Sequence, residues 1–345
     1  MITILQVFLS YPEFADDLRA DRACLSQCHG QMEHRVEIKG ESPSYVDVAT
    51  LRSSAHKRIA CLDCHRDITK VPHDEVISLV KCVTCHYKGN PRQAPGGGEY
   101  RDYVESVHAQ ISQDGKKKPQ CTDCHGTHNI LPPRDEQSQV YKMRVPETCG
   151  QCHAEIYQEY ASSIHGQALI WNGIIDTPSC VDCHGVHRIL SPKDPKSRVH
   201  PTHVSQTCAE CHQAVEVVEK YGISTKRVSS YQESYHGLAN KYGVLAVANC
   251  ATCHGVHNIL PSTDVASSIH PNNLPQTCGQ ENCHPQAVQT FALGSVHLGA
   301  VQTPNIIRWI QIGYTVLIVL TIGGMILHNL LDYISARRRK SHVNS

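Results

Sequence analysis

Large apolar side chains are scarce in this chain: its 345 residues include only 3 Phe, 2 Trp and 4 Met. The length would suit about two domains, yet a chain so poor in core-forming residues could hardly bury enough surface by itself. Other apolar material must complete the interior. Charge of one sign is lacking as well. Lys plus Arg and Asp plus Glu each number 32, a formal net charge of +0, so no basic field argues for nucleic acid. A convincing secretory leader is missing from the segment 1–23. Residues 1–10 are a short apolar stretch with no basic region, and Glu13-Phe14-Ala15 is a poor small-residue cleavage site. Either the leader is degenerate or the true start lies upstream.

Stray cysteine is absent too. All 18 Cys fall into nine pairs, each with a His directly after the second Cys. Seven pairs are strict C-x-x-C-H. They are Cys61, Cys64 with His65; Cys82, Cys85 with His86; Cys121, Cys124 with His125; Cys149, Cys152 with His153; Cys180, Cys183 with His184; Cys208, Cys211 with His212; and Cys250, Cys253 with His254. Two are stretched: Cys24, Cys28 with His29 by one residue, and Cys278, Cys283 with His284 by two. C-x-x-C-H is the attachment signal of c-type haem. The two thiols bond the porphyrin, and the adjacent His is the proximal iron ligand. Zinc needs four convergent ligands and does not explain a His after every second Cys; a disulfide framework ignores the His as well. The expectation is nine covalent haems, which would also provide the missing core, so that folding depends on their insertion. Because c-type haem is attached outside the cytoplasm, the chain must be exported.

An internal repeat organises the chain. Cys-Thr-Asp-Cys-His-Gly-Thr-His-Asn-Ile-Leu-Pro (121–132) recurs in close form at 180–191 and 250–261. In each copy the next motif starts 28 positions on: Cys121 to Cys149, Cys180 to Cys208, Cys250 to Cys278. A shorter copy runs from Cys61 to Cys82. The expected fold is therefore a mostly irregular and α-helical multihaem cytochrome c of four two-haem modules. One extra haem at Cys24 precedes them, and one transmembrane helix follows. Apolar spacing predicts short helices over 154–165 and 285–297 and an inserted helix within 213–235, whereas 94–98 reads as a loop.

Fifteen of the 24 His lie outside the attachment motifs, and they too are patterned. Ser-x-His supplies His56, His108, His165, His236 and His297. The first motif of each module is followed by His73, His128, His187 or His257. Five plus four gives nine distal candidates for nine haems. Solvated loop histidines would not recur in register with the motifs. Two axial His make low-spin, six-coordinate iron suited to moving electrons. Which His serves which haem is not readable from the sequence. His34, His200, His203 and His270 are spares; His200 and His270 stand where another copy has Tyr141, which favours a structural role.

The boundaries are then an N-terminal segment 1–23, a haem domain 24–304, a membrane helix 305–335 and a basic tail 336–345. Residues 309–331 carry no charge, and that length spans a bilayer. Trp309, Tyr314 and Tyr333 suit an aromatic belt. Arg337-Arg338-Arg339-Lys340 places the C-terminus in the cytoplasm and the haem domain outside. His328, inside the span, is a candidate to bind a b-type haem or a quinone, or else sits at the headgroup level. Gly323-Gly324 lets another helix approach.

These repeats resemble the periplasmic multihaem c-type cytochromes of anaerobic bacteria. The C-terminal 323–333 stretch looks like the anchor of those that pair with a membrane cytochrome b. The resemblance implies an inner-membrane electron-transfer subunit with its haem domain in the periplasm. It would link the quinone pool, through a cytochrome b partner and a haem b shared with it, to soluble or outer-membrane cytochromes in anaerobic respiration. The competing class is a reductase or oxidase of small nitrogen or sulfur compounds, which needs one open-site haem. The Cys-x-x-Cys-Lys motif that often marks such a site does not occur here.

Overall fold

The computed structural model describes residues 24–30, 45–70, 73, 78–110, 118–224, 226–292, 297 and 305–343. The segment 1–23 and His34 lie outside them. Among the described residues the chain is helical or irregular, with no strand.

Most helices are short, and several consist of one attachment motif. Cys61–Cys64, Cys121–His125, Cys180–His184 and Cys250–His254 are single turns. The spacer aspartate starts two of them. Asp123 accepts from the Gln120 N–H at 2.6 Å, and Asp182 from the Ser179 N–H at 2.7 Å, the return arm of a capping box. The stretched motifs reach the same closure differently. Cys24–His29 is a π-helix, in which the Gly30 N–H donates to the Leu25 carbonyl at 2.8 Å. A π-turn holds one more residue than an α-turn, and that absorbs the extra spacer before Cys28. At the other stretched motif the His284 N–H donates to the Cys278 carbonyl at 3.1 Å. His65 makes that bond to Cys61 at 2.9 Å and His153 to Cys149 at 3.0 Å. The two extra residues are thus looped out between closed ends, and the Cys283 N–H holds the loop by donating to the Gln280 carbonyl at 2.8 Å.

Three helix expectations need correction. The helix over 154–165 ends at Ser162. Ser163 turns extended (φ −71°, ψ 164°), and its Oγ accepts from the Gly166 N–H at 3.0 Å, so a new turn begins there. A serine hydroxyl offers the backbone an alternative partner and breaks the run. Of 285–297, only Gln289–Ala292 is helical among the described residues. Just before it the Ala287 N–H is held in a turn by the His284 carbonyl at 2.8 Å. The inserted 213–235 stretch holds two helices, Val215–Tyr221 and Lys226–Glu233. Gly222, left-handed at φ 63°, stops the first of them.

The chain divides into two compact units, Met1–Thr207 with Cys250–Asn273, and Cys208–Asn249 with Leu274–Ser345. Their buried apolar side chains are few, as the composition requires. Val145, Tyr160, Leu169 and Leu190 are buried in the first unit, and Val218, Val228, Tyr231 and Ala292 in the second. The C-terminal helix runs from Asn305 to Val343, so it continues through the basic tail. Its 28-residue stretch Arg308–Ser335, with mean hydropathy 2.0, is long and apolar enough to cross a membrane.

Candidate haem sites

The histidines outside the motifs are placed by two recurring local devices. The first is the serine of Ser-x-His. Ser54, Ser106, Ser163 and Ser234 share one extended conformation, with φ between −69° and −74° and ψ between 152° and 164°. Ser54 and Ser106 accept from the N–H of His56 and His108, each at 3.1 Å. The residue between is tied to the module beyond the one that follows it. The Ala55 N–H donates to the Ile130 carbonyl at 2.7 Å, Val107 to Ile189 at 2.9 Å and Ile164 to Ile259 at 2.8 Å.

The second device is the glycine of Cys-His-Gly-x-His. Gly126, Gly185 and Gly255 stand at φ 83° to 85°, backbone that L side chains rarely adopt. A Cβ on Gly126 would also meet the Asn129 side chain at 2.3 Å. This turn directs His128, His187 and His257 away from the motif that precedes them.

The result is a set of facing imidazoles. His29 and His73 have ring centres 5.9 Å apart, His56 and His86 5.9 Å, His65 and His128 6.3 Å, and His108 and His153 6.2 Å. His125 and His187 are 6.0 Å apart, His184 and His257 6.1 Å, and His236 and His284 6.2 Å. Each pair joins a proximal histidine to a distal candidate. An imidazole nitrogen bonds a first-row metal at about 2 Å, and each ring adds about 1 Å from nitrogen to centre, so two rings sharing one metal stand about 6 Å apart. The residues therefore fit iron held between two histidines.

The pairing follows a rule. Three of the Ser-x-His histidines face the second motif of the module that comes after them: His56 to His86, His108 to His153, His236 to His284. Each Cys-His-Gly-x-His faces the first motif of the module before: His128 to His65, His187 to His125, His257 to His184. His73 faces the extra motif, through His29. None of these seven pairs lies within one motif. His165 follows the same serine break. The ring Nδ1 of His297 lies 2.7 Å from the Arg227 carbonyl. A carbonyl only accepts, so Nδ1 carries the proton and Nε2 keeps its lone pair for a metal.

Electrostatics agrees with ligation. Burial, and after it the facing imidazole, holds His56, His108, His125, His128, His184 and His236 below the ordinary imidazole pKa. Burial, and after it the Arg227 guanidinium, does the same for His212. All are kept in the neutral form that binds metal. Nδ1 of His65 is buried with no protein partner. Among the described residues no group of three or more His, Cys, Asp or Glu side chains converges to hold a lone metal ion.

The thiols are open to a porphyrin. All 18 cysteines are free of disulfides, as thioether attachment requires, and none is buried. Cys64, Cys121, Cys124, Cys152 and Cys283 are exposed; the rest, Cys28, Cys211 and Cys253 among them, are half-buried. The second cysteine of a motif is fixed through its backbone instead. The Cys152 N–H donates to the Cys149 carbonyl at 3.2 Å, the Cys211 carbonyl accepts from the Ala214 N–H at 3.1 Å, and that of Cys253 accepts from the Ser268 hydroxyl at 2.5 Å.

Successive attachment sites touch. The Cys82 thiol lies beside that of Cys121, and the Cys180 thiol beside that of Cys149. Cys64 lies within electrostatic reach of Cys85, and Cys124 of Cys149 and Cys152. From Cys61 to Cys183 the sites therefore lie side by side in sequence order. A cavity of about 320 Å³ opens beside His184 and His187, and Arg188, Lys196 and Arg198 line it; cations there suit the carboxylates of a porphyrin.

His200 and His270 occupy the same backbone position as Tyr141. Their N–H groups donate to Ser197 at 3.1 Å and Ser267 at 3.0 Å, as Tyr141 does to Ser138 at 3.0 Å. Nδ1 of His203 also lies 2.9 Å from the Ser197 carbonyl. Three tyrosines that the sequence did not single out recur beside the sites: Tyr103, Tyr160 and Tyr231, each three positions before the serine of Ser-x-His.

A doubled CXXCH motif family model matches residues 111–157, which hold two attachment motifs and His128. No curated protein and no solved structure matches the chain. The paired motifs are those of a multihaem c-type cytochrome, and electron transfer is the work such a chain suits.

Proposed function

We propose that this chain is the electron-transfer subunit of a membrane complex. It passes electrons between the quinone pool, through a cytochrome b-type partner, and periplasmic redox partners. The observation that carries the reading is the set of facing histidine pairs. Haem iron, once bound, supplies reversible one-electron chemistry.

The chain's own residues do the rest. The cysteine pairs fix each porphyrin edge. The proximal and distal histidines would hold both axial positions, which leaves no position for substrate. Contacts such as Cys82 with Cys121 and Cys149 with Cys180 bring neighbouring attachment sites together, and close spacing is what an electron chain needs. In this reading nine haems are carried, including those at the two stretched motifs. The C-terminal helix anchors the chain with the haem domain outside and the basic tail in the cytoplasm.

The test is stopped-flow reduction of the purified holoprotein complex by a quinol, followed in the haem absorption band. Reduction of all the c-type haems without a ligand-binding iron supports the proposal. Turnover of nitrite, hydroxylamine or a sulfur oxyanion at a high-spin iron would replace it with the enzyme reading.

A further inference from the structure

A run of hydrogen bonds joins the attachment loop of one haem to the distal histidine of another. In the second module the Tyr103 hydroxyl donates to the Pro119 carbonyl at 2.9 Å. Pro119 stands two positions before Cys121, which attaches the first haem of that module. The Ser106 N–H donates to the Tyr103 carbonyl at 2.9 Å, and Ser106 Oγ accepts from the His108 N–H at 3.1 Å. His108 faces His153, the proximal histidine of the module's second haem, at 6.2 Å.

The device recurs. The Tyr160 hydroxyl donates to Pro178 at 2.7 Å and that of Tyr231 to Ala248 at 3.0 Å, each acceptor two positions before a first Cys. Ser163 and Ser234 return bonds to the carbonyls of those tyrosines at 3.0 and 2.9 Å. Burial holds the phenols of Tyr103 and Tyr160 above their ordinary pKa, so they stay proton donors.

The plain alternative is that these tyrosines only fill space or end their helices. The first module answers it. There Leu51 occupies the tyrosine position, and the Ser54 N–H still donates to the Leu51 carbonyl at 3.1 Å. The helix ends the same way, and His56 is presented the same way, without a phenol. The hydroxyl is therefore additional to the break, and in each of its three copies it reaches the neighbouring attachment loop.

We propose that Tyr103, Tyr160 and Tyr231 are positioning residues that clamp the distal histidine of each module's second haem to the attachment loop of its first. The proposal rests on the two-histidine ligation argued above. A clamped histidine leaves its iron less often than a free one, so the phenol resists opening of that iron to outside ligands. The first module, with Leu51, carries an unclamped and more easily opened site.

The test uses the full holoprotein, reduced, with carbon monoxide as the probe. Carbon monoxide binds only when a distal histidine has left. Tyr103→Phe should keep the full haem count and the low-spin spectrum at rest. It should raise the rate of carbon monoxide uptake at one haem by roughly fivefold, the size of effect that loss of one neutral hydrogen bond produces. His108→Gly opens that iron outright, so adding Tyr103→Phe to it should change nothing further. An unchanged rate in Tyr103→Phe overturns the clamp. So does acceleration that persists in the double variant, or loss of the haem at Cys121 and Cys124. Rapid uptake by the unaltered protein at several haems would overturn the six-coordinate reading itself, a failure distinguishable from that of the clamp.

Discussion

His187 faces His125 across 6.0 Å, with ring planes 20° apart, and turns away from His184, the proximal histidine three positions before it. His184 faces His257 of the following module instead, at 6.1 Å. A histidine that looks like part of one motif thus belongs to the site of another. None of the first three modules completes its first site alone, and the modules are stapled by their own ligand sets as well as by backbone bonds such as that from Val107 to Ile189.

This crossing predicts which iron responds to a substitution. His187→Gly should leave every haem attached and convert one iron to a high-spin, carbon monoxide-binding form. That signal should vanish when Cys121 and Cys124 are also replaced by Ala, because the affected haem is then gone. If it survives, and disappears only with Cys180 and Cys183, the pairing is local and the crossed assignment is wrong.

The stretched motifs should both be occupied. The π-turn over Cys24–His29 and the His284 N–H bond to Cys278 restore the closure seen in strict motifs. The intact mass of the holoprotein should therefore exceed that of its polypeptide by nine haem masses. A mass short by one or two haems, with alkylatable thiols at Cys24 and Cys28 or at Cys278 and Cys283, would show which closure is not used.

Folding should follow haem attachment. The protein part buries few large apolar side chains, among them Leu169, Val218 and Val228, far short of a continuous core for a chain of this length. Chain produced without haem attachment should retain helix chiefly in the Asn305–Val343 segment. It should show no cooperative thermal transition by circular dichroism and should be cut rapidly by protease between 45 and 292. A sharp transition in that material would mean that the polypeptide alone carries the fold.

Much of this arrangement is legible in the sequence because covalent chemistry writes it there. Attachment needs Cys and His at fixed spacing, and Ser-x-His and Cys-His-Gly-x-His recur in register with that spacing. The pairing of distal to proximal histidines is not legible, since it depends on where the positive-φ turn at Gly185 and the extended break at Ser106 send the chain. Helix lengths fail for the same reason: apolar periodicity runs through Ser163 without a sign that its hydroxyl will end the turn. The clamp tyrosines carry a sequence signal, Tyr three positions before the serine in three of the five Ser-x-His copies. Without coordinates, nothing connects that phenol to a carbonyl such as Pro178 in the next loop.

The long apolar C-terminal helix carries its own pair. Nδ1 of His328 lies 3.4 Å from a carboxylate oxygen of Asp332, one turn on. A carboxylate behind Nδ1 fixes the ring and leaves Nε2 outward for a metal or a hydrogen-bond partner. Polar side chains in a membrane span cost insertion free energy, on the order of a few kcal/mol for a charged group at the centre and less near an interface. Contact with a partner's b-type haem or a quinone would offset that cost. His328→Ala in the membrane complex should leave the c-type haems attached and low-spin while slowing their electron exchange with quinol. Asp332→Asn, which keeps a hydrogen-bond acceptor but not the charge, should slow it less. Both rates are read by stopped-flow absorption on the same preparation. If His328→Ala exchanges electrons with the quinone pool at the unaltered rate, His328 is an interfacial side chain and the contact with the partner lies elsewhere on the helix.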